Sequence, residues 1–129
     1  MLVEIVGKRY EEKILTTSRK IAESFEKEHK EVIRTIEGQV DAEGKVKHLG
    51  LATQISQRGD IPLSDYFIKT SYVGANNREY TEYLVTRDGF SLLAMGFSGE
   101  KALCWKIKYI NAFNKMEAEL KRILTERQQ

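Results

Sequence analysis

Hydrophobic positions recur at helical spacing in two short segments near the N-terminus. In the first segment, three apolar residues share one face of a helix: Ile21, Ala22 and Phe25. In the second, four residues stand at i, i+3, i+4 and i+7: His29, Val32, Ile33 and Ile36. Hydroxyl side chains at 16–18 can cap the first helix, and Gly38 can end the second. The pattern predicts two helices joined by a short turn, which is a helix-turn-helix arrangement.

Aromatic and β-branched residues concentrate between residues 65 and 85, which predicts a β-hairpin. Its loop at 74–78 contains a glycine and two asparagines, which tolerate the positive φ of hairpin loops. A short first strand is expected at 2–6 and a polar turn at 7–13. Residues 38–64 hold four of the nine glycines and the only proline, so this stretch is interpreted as a connection, with at most a short helix at 51–56.

Two further helices are predicted towards the C-terminus. Thr86 can cap the first, whose buried positions are Phe90, Leu93, Ala94 and Phe97. The second is long, and its apolar stripe has seven members: Ala102, Trp105, Tyr109, Phe113, Met116, Leu120 and Ile123. Leu103, Ile107 and Ile110 are expected to widen this stripe. Cys104 is interpreted as a small buried hydrophobe.

The order of these elements predicts an α+β fold. It would be a winged-helix-like module, made of the helix-turn-helix and the β-hairpin, followed by two helices of which the last is long. Residues 1–98 are assigned to a winged-helix-like DNA-binding domain, and 99–129 to the long helix, which packs on that domain. A helix of about 25 residues spans about 37 Å, more than so small a domain can cover. Its C-terminal half is therefore expected to project and to pair with a second copy, the alternative being a solvated tail.

The composition limits the classes of protein to which the chain can belong. Its 21 basic residues nearly balance 19 acidic residues, so the net charge of +2 does not by itself indicate nucleic-acid binding. The single cysteine excludes an intramolecular disulfide and suits a reducing compartment. The sequence has neither a secretory signal nor an apolar run of the about 18 residues that a membrane span needs. A cytoplasmic protein without a membrane partner is expected.

No arrangement of residues in the sequence predicts catalysis. His29, His48 and Cys104 do not follow any familiar metal-site spacing. Neither a phosphate-binding loop nor a dinucleotide fingerprint nor a nucleophile–base–acid set is recognisable. His29 lies on the apolar stripe of its helix and is interpreted as a core or capping residue. The chain is therefore predicted not to be an enzyme and to use neither a metal nor a cofactor.

The second predicted helix, at about 27–37, is the candidate recognition helix for DNA. An arginine on its outward face would suit guanine edges and its lysines would suit phosphates. Residues 18–38 carry five basic and five acidic side chains, and this balance favours the alternative of a solvated helix face. The predicted DNA contacts are Arg19, Lys27, Lys30 and Arg34 on the two helices, with Lys69 and Arg78 on the hairpin as wing contacts.

Three runs towards the C-terminus have a distinctive amino-acid sequence: Thr86-Arg87-Asp88-Gly89-Phe90, Met95-Gly96-Phe97-Ser98-Gly99, and the stretch from Tyr109 to Glu117 with Trp105-Lys106 before it. Together they resemble the signature of the Rha family of phage regulatory proteins. The resemblance extends over residues 17–36 and 66–119, with Ser98 and Trp105 as mild departures from the threonine and phenylalanine of the family pattern. Most of the residues that carry it are structural, so they identify a fold better than a binding surface.

The resemblance implies a phage or prophage regulatory protein in the cytoplasm of the bacterial host cell. Such a protein would bind double-stranded DNA as a homodimer and affect transcription or the lytic switch. The alternative is a protein-interaction module of the antirepressor kind, which would act by binding a phage repressor or a host DNA-architectural protein. Salt separates the two hypotheses, because binding through lysine and arginine weakens steeply as salt rises.

Overall fold

The computed structural model describes residues 2–6 and 13–127 of the 129-residue chain. Residues 1, 7–12 and 128–129 lie outside the described part, and with them most of the turn predicted at 7–13. The described elements in chain order are β1 (Glu4–Val6), β2 (Lys13–Thr17), α1 (Ser18–Ser24), α2 (His29–Glu37), β3 (Gly38–Val40), β4 (Val46–Leu49), α3 (Leu51–Ser56), a 3₁₀ turn (Leu63–Asp65), β5 (Phe67–Val73), β6 (Glu79–Val85), α4 (Arg87–Ala94) and α5 (Glu100–Arg127).

Four of these strands form an antiparallel sheet in the order β1-β2-β6-β5. β5 and β6 are the predicted hairpin, in register from Phe67 opposite Val85 to Val73 opposite Glu79. β2 joins this sheet through two residue pairs at its C-terminal end, immediately before α1 begins. The start of α1 is therefore fixed against β6. The predicted α+β class, with a helix pair, a hairpin and two C-terminal helices, is confirmed.

The helix ends follow the capping signals in the sequence. Thr17 caps α1, because its Oγ1 accepts the backbone N–H of the third residue on at 3.1 Å, and Thr86 caps α4 in the same way at 3.2 Å. Gly38, with φ of +85°, ends α2. Four residues separate α1 from α2, and Glu26 in this turn has φ of +55°, a left-handed conformation that disfavours most side chains.

Residues 38–49 form a second hairpin, which we call the 38–49 hairpin. β3 follows α2 without an intervening residue and pairs antiparallel with β4. The interpretation of residues 38–64 as a connection is therefore wrong for this part, because two strands of three and four residues leave only a faint pattern in the sequence. The short helix expected at 51–56 is confirmed as α3.

The core lies between the helix pair, the sheet and one face of α4 and α5. Its centre is a series of aromatic rings in which Phe90 and Tyr109 stack at 4.7 Å between centroids, and Phe25 and Phe113 each lie 5.9 Å from one of them. The Tyr109 side chain is fully buried and its hydroxyl lies 2.9 Å from the Ser24 hydroxyl. Burial raises the pKa of Tyr109, so this hydroxyl stays protonated. The contact holds α5 against α1.

The long helix α5 buries a narrower stripe than predicted. Its face through Tyr109 is buried, but the three flanking residues are 56%, 50% and 45% exposed: Leu103, Ile107 and Ile110. They lie about 100–160° around the helix from Tyr109, because each residue advances an α-helix by about 100°. Cys104 lies beyond the opposite flank and is exposed, so the prediction that it is buried is wrong.

Candidate nucleic-acid interface

The predicted recognition helix α2 has one buried and one exposed face. Val32 and Ile36 are 2% and 0% exposed and fix the helix on the core. Lys30 and Arg34 stand one helical turn apart on the outer face. Lys30 Nζ lies 3.2 Å from Glu28 Oε2, but both side chains are largely exposed and such a pair is weak. Arg34 has no ion-pair partner in the described part of the chain, so its guanidinium is open to a ligand.

His29 fixes the N-terminal end of α2. Its Nε2 lies 2.8 Å from Ser18 Oγ, and the same oxygen accepts the backbone N–H of Tyr83 at 2.9 Å. Burial, and then the positive charge of Arg19, lower the pKa of His29 below the usual 6.5. The neutral ring can accept the Ser18 proton, so a single serine hydroxyl joins α1, α2 and β6. The interpretation of His29 as a core or capping residue agrees with this geometry.

Arg19 projects from α1 towards the β5–β6 hairpin. Its guanidinium carbon lies 3.8 Å from the centre of the Tyr72 ring, and its Nε lies 3.8 Å from Glu82 Oε2. The Arg19 side chain is still 53% exposed. It therefore already joins two elements of the protein, and a phosphate would compete with Glu82 for it.

The two predicted wing contacts, Lys69 and Arg78, differ in whether the side chain already forms an ion pair within the described part of the protein. Lys69 Nζ lies 3.4 Å from Glu37 Oε2, an oxygen that also accepts the Tyr83 hydroxyl at 2.8 Å. Burial and this hydrogen bond raise the pKa of Tyr83, so the hydroxyl remains a donor. Arg78 lies in the β5–β6 loop, where its carbonyl accepts the Gly74 N–H at 2.8 Å. Within the described residues, the exposed guanidinium of Arg78 has no ion-pair partner.

Lys27 lies in the turn before α2 and not on the helix, which begins at His29. Its Nζ is 5.9 Å from the centre of the Phe97 ring, at the outer limit of a cation–π contact. The neighbouring Glu26 pairs with Lys101 of α5 at 2.9 Å. This pair joins the turn to α5, but both side chains are largely exposed, so the pair is weak.

The 38–49 hairpin carries two cations that sequence reasoning missed. Lys45 directly precedes β4 and Lys47 lies within it, and all four residues of β4 are exposed. Neither lysine has an ion-pair partner among residues 2–6 and 13–127. The run at 44–48 begins with a glycine and then alternates lysine with a β-branched residue, which is a strand signal that could have found them.

The runs that resemble the Rha signature hold α4 against α5. Arg87 Nη1 donates to both carboxylate oxygens of Glu117, at 2.7 and 2.9 Å, and Arg87 Nη2 donates to Asn114 Oδ1 at 2.8 Å. At Gly89, a Cβ would approach the Tyr66 carbonyl oxygen to 2.2 Å, so only glycine fits. These residues determine packing, and Arg87 is occupied by the protein itself.

Among the described residues, exposed charged side chains are more prominent than clusters of side chains that could bind a metal ion. Within residues 2–6 and 13–127, no cluster of three or more His, Cys, Asp or Glu side chains is placed to hold a metal ion. In the same residues, none of the helices combines the length and apolar character needed to cross a membrane.

Comparison with known proteins gives the family. The profile of the family described as phage regulatory protein Rha matches residues 16–118, which is most of the chain. The chain therefore belongs to the Rha family of phage regulatory proteins, and the resemblance in its sequence is confirmed.

Three curated relatives are similar to most of this chain. An uncharacterized protein of Haemophilus influenzae is 34% identical over 86% of this chain and 56% of its own length. An uncharacterized 22.8 kDa protein of Salmonella phage P22 is 32% identical over 84% of this chain and 47% of its own. An SPbeta prophage-derived antirepressor-like protein of Bacillus subtilis, YoqD, is 26% identical over 84% of this chain and 38% of its own. The chain thus spans about half the length of these relatives or less. No solved structure matches it.

Proposed function

We propose that this Rha family protein is a regulatory protein that binds double-stranded DNA in the bacterial cytoplasm. In this proposal α1, α2 and the β5–β6 hairpin act as a winged-helix-like module within residues 1–98, and α2 enters the major groove. The observation that carries the proposal is the outer face of α2, where Arg34 is exposed and has no ion-pair partner among the described residues, while the opposite face of the helix is buried. A rigid helix that presents a free guanidinium is suited to the edge of a guanine.

The predicted contacts fall into two groups by availability. Lys27, Lys30, Arg34 and Arg78 have weak protein contacts or no ion-pair partner among the described residues, so they can bind DNA without breaking a stable pair. Arg19 and Lys69 each hold a carboxylate and would have to share it or release it. We therefore assign Arg34 to a base edge, Lys27, Lys30 and Arg78 to phosphates, and only secondary contributions to the remaining two.

Salt bridges to the rest of the protein leave the charge balance of the helix pair unchanged. Two of its five acidic residues pair outside it, Glu26 with Lys101 and Glu37 with Lys69. Two of its five basic residues do the same, Arg19 with Glu82 and Lys20 with Glu4. Attraction for phosphate would therefore depend on where the exposed cations lie and not on net charge, and binding by two copies would double this modest contribution.

We further propose that the protein is a homodimer whose copies pair through α5, within residues 99–129. The exposed residues Leu103, Ile107 and Ile110 form one apolar strip on the N-terminal half of this helix, and not on the C-terminal half that the sequence indicated. Burying them in a symmetric contact removes apolar surface from water. Sedimentation at tens of micromolar should give a dimer, and Ile107→Glu should give a monomer with unchanged secondary structure. A wild-type protein that sediments as a monomer would remove this part of the proposal.

Fluorescence anisotropy tests the DNA proposal. The purified chain is titrated against a mixed-sequence duplex at about 50 and about 200 mM salt, and the affinity should fall at least about tenfold between them. Absence of binding at the lower salt concentration would rule out direct DNA recognition by this chain.

The second candidate is a protein-interaction module. The exposed apolar strip on α5 and the antirepressor-like name of one relative favour it. In that case the strip would bind a phage repressor or a host DNA-architectural protein. Such an apolar contact would change little with salt, whereas binding to phosphate would weaken. Recovery of one stoichiometric partner by a salt-resistant contact, together with no DNA binding, would favour this candidate.

A further inference from the structure

The 38–49 hairpin is joined rigidly to α2. Gly38 and Gly50 meet at its base, where a Cβ on Gly38 would lie 2.6 Å from Gly50 N and a Cβ on Gly50 would lie 2.4 Å from Gly38 N. The Gln54 side-chain amide donates to the Leu49 carbonyl at 2.8 Å and ties the end of β4 to α3. The direction of the hairpin is therefore fixed relative to α2.

The tip of this hairpin is held by one carboxylate. Asp41 Oδ1 accepts the backbone N–H groups of Glu43 and Lys45, each at 2.9 Å, and the Asp41 N–H donates to the Lys45 carbonyl at 2.8 Å. An aspartate side chain that accepts two backbone N–H groups shapes a turn. The loop is thus preorganised by its own chain.

The surface of the hairpin is nevertheless left open. Val40 and Val46 face each other across the two strands and are 59% and 57% exposed. A two-stranded hairpin is only marginally stable alone, and exposed valines add little to it. A rigid element with an open surface is suited to contact with a partner.

The charges on the hairpin favour a polyanion as that partner. Lys45 and Lys47 are exposed and have no ion-pair partner within the described chain, and only one residue separates them where β4 begins. Glu43 is the one acidic residue of the hairpin besides Asp41, which is engaged in the turn. Two available lysines therefore stand against one available carboxylate.

We infer that the 38–49 hairpin is a second DNA-contacting element, in which Lys45 and Lys47 neutralise backbone phosphates beside the base pairs that α2 contacts. This inference rests on the proposed DNA binding and adds a site to it. Arg34 lies in the last turn of α2, and its carbonyl accepts the backbone N–H of Gly38 at the base of the hairpin, so the two elements adjoin. The hairpin supplies affinity that does not depend on sequence, and α2 supplies discrimination between bases.

The first test removes both lysines. The Lys45→Ala/Lys47→Ala variant should bind a mixed-sequence duplex about tenfold more weakly at about 50 mM salt, and the slope of log affinity against log salt should fall by about two. The control Lys115→Ala/Lys121→Ala removes the same charge from exposed positions of α5 and should bind like the wild type. An equal loss in both variants, or none in the first, overturns the inference while the DNA proposal stands. A wild type that does not bind DNA overturns both.

A second test separates the effect of the preorganised loop from the effect of the negative charge of Asp41. Asp41→Asn and Asp41→Ala remove the same negative charge, but only asparagine keeps an oxygen that can accept the two backbone N–H groups. Charge alone would make both variants bind DNA equally well, and more tightly than the wild type. The preorganised hairpin predicts that Asp41→Ala binds about threefold or more weakly than Asp41→Asn, because its loop must be ordered on binding. Equal affinities for the two variants would contradict it.

Discussion

The region where α4 meets α5 and the region formed by α2 with the 38–49 hairpin use similar residues in opposite ways. In the first, Arg87 is locked to Glu117 and Asn114, and Gly89 lies against backbone. In the second, Arg34 and both hairpin lysines are exposed without an ion-pair partner in the described chain. The three distinctive runs of the family signature lie in or beside the first region, although the family match also covers α2 and the 38–49 hairpin, and the groups available to a ligand lie in the second region.

The difference separates what identifies the family from what binds. A buried or paired residue is restricted by its own neighbours, so a family signature made of such residues reports a fold. An exposed cation on a rigid element is restricted by nothing in the described chain, which leaves it to a ligand. Family membership therefore indicates how the chain packs, and the exposed cations on α2 indicate which side chains are available to bind a ligand.

The largest expected effect is at Gly89, in the α4–α5 region. Gly89→Ala should lower the free energy of unfolding by about 3 kcal/mol, because its Cβ would meet the Tyr66 backbone and neither can move without disturbing the core. Urea denaturation measures this loss. The control Gly96→Ala, where a Cβ would make an ordinary contact at 3.5 Å, should change stability by less than about 0.5 kcal/mol. Equal losses at the two glycines would disprove the close packing at Gly89.

Ion pairs should differ between the two regions. A double-mutant cycle on Arg87 and Glu117 should give a coupling free energy of about 0.5–1 kcal/mol, since Arg87 Nη1 donates to both carboxylate oxygens but the two side chains are 42% and 41% exposed. The same cycle on Lys30 and Glu28 should give about zero, because both side chains are mostly exposed. If the α2 pair proved as strong as the α4–α5 pair, Lys30 would not be available to DNA.

Acidification should weaken the attachment of α2. The folded-state pKa of His29 is lowered, so the unfolded chain binds more protons at this site than the folded chain. The stabilising contribution is complete above the unfolded value of 6.5 and is lost as the pH falls through it towards the lower folded value. Thermal unfolding at pH 7.5 and 5.5 measures this contribution, and His29→Gln should reduce the difference between the two melting temperatures. If His29→Gln leaves the difference between the two melting temperatures unchanged, the proton is taken up by a group other than His29.

The smallest effect is expected in the turn between α1 and α2. Glu26→Asn should raise the free energy of unfolding by about 0.5 kcal/mol, because asparagine tolerates positive φ and the exposed pair with Lys101 contributes little. Chemical denaturation detects the gain, and DNA affinity should not fall. A loss of stability would mean that the Lys101 pair outweighs the backbone strain.

The sequence predicted the elements that carry a complete local pattern. The stripes of α1 and α2, the caps at Thr17 and Thr86 and the β5–β6 hairpin are each encoded within a few neighbouring residues. β2 was missed because it pairs with β6, which is distant in sequence. The 38–49 hairpin was missed because its strands of three and four residues are too short to show a clear pattern. The exposed flank of α5 was missed for a related reason. An apolar stripe shows which residues can be buried, but the neighbouring elements determine how wide a face they cover.

The candidate site was predictable only in part. Exposure of the cations on α2 follows from the helical pattern, which directs Lys30 and Arg34 away from the buried face. Pairing does not follow from sequence, because the partner of Arg19 lies 63 positions away on β6. Which cations remain available for a ligand is therefore a property of the fold.

We propose a division of roles in which the α4–α5 region holds the fold and the α2 region binds DNA. Comparing Arg34→Ala with Arg87→Ala, in duplex affinity at about 50 mM salt and in free energy of unfolding, separates the two roles. Arg34→Ala should bind DNA about tenfold or more weakly, with stability within about 0.5 kcal/mol of the wild type. Arg87→Ala should lose about 1 kcal/mol of stability and keep its DNA affinity. Unchanged DNA binding by Arg34→Ala, together with lost binding by folded Arg87→Ala, would overturn this division of roles.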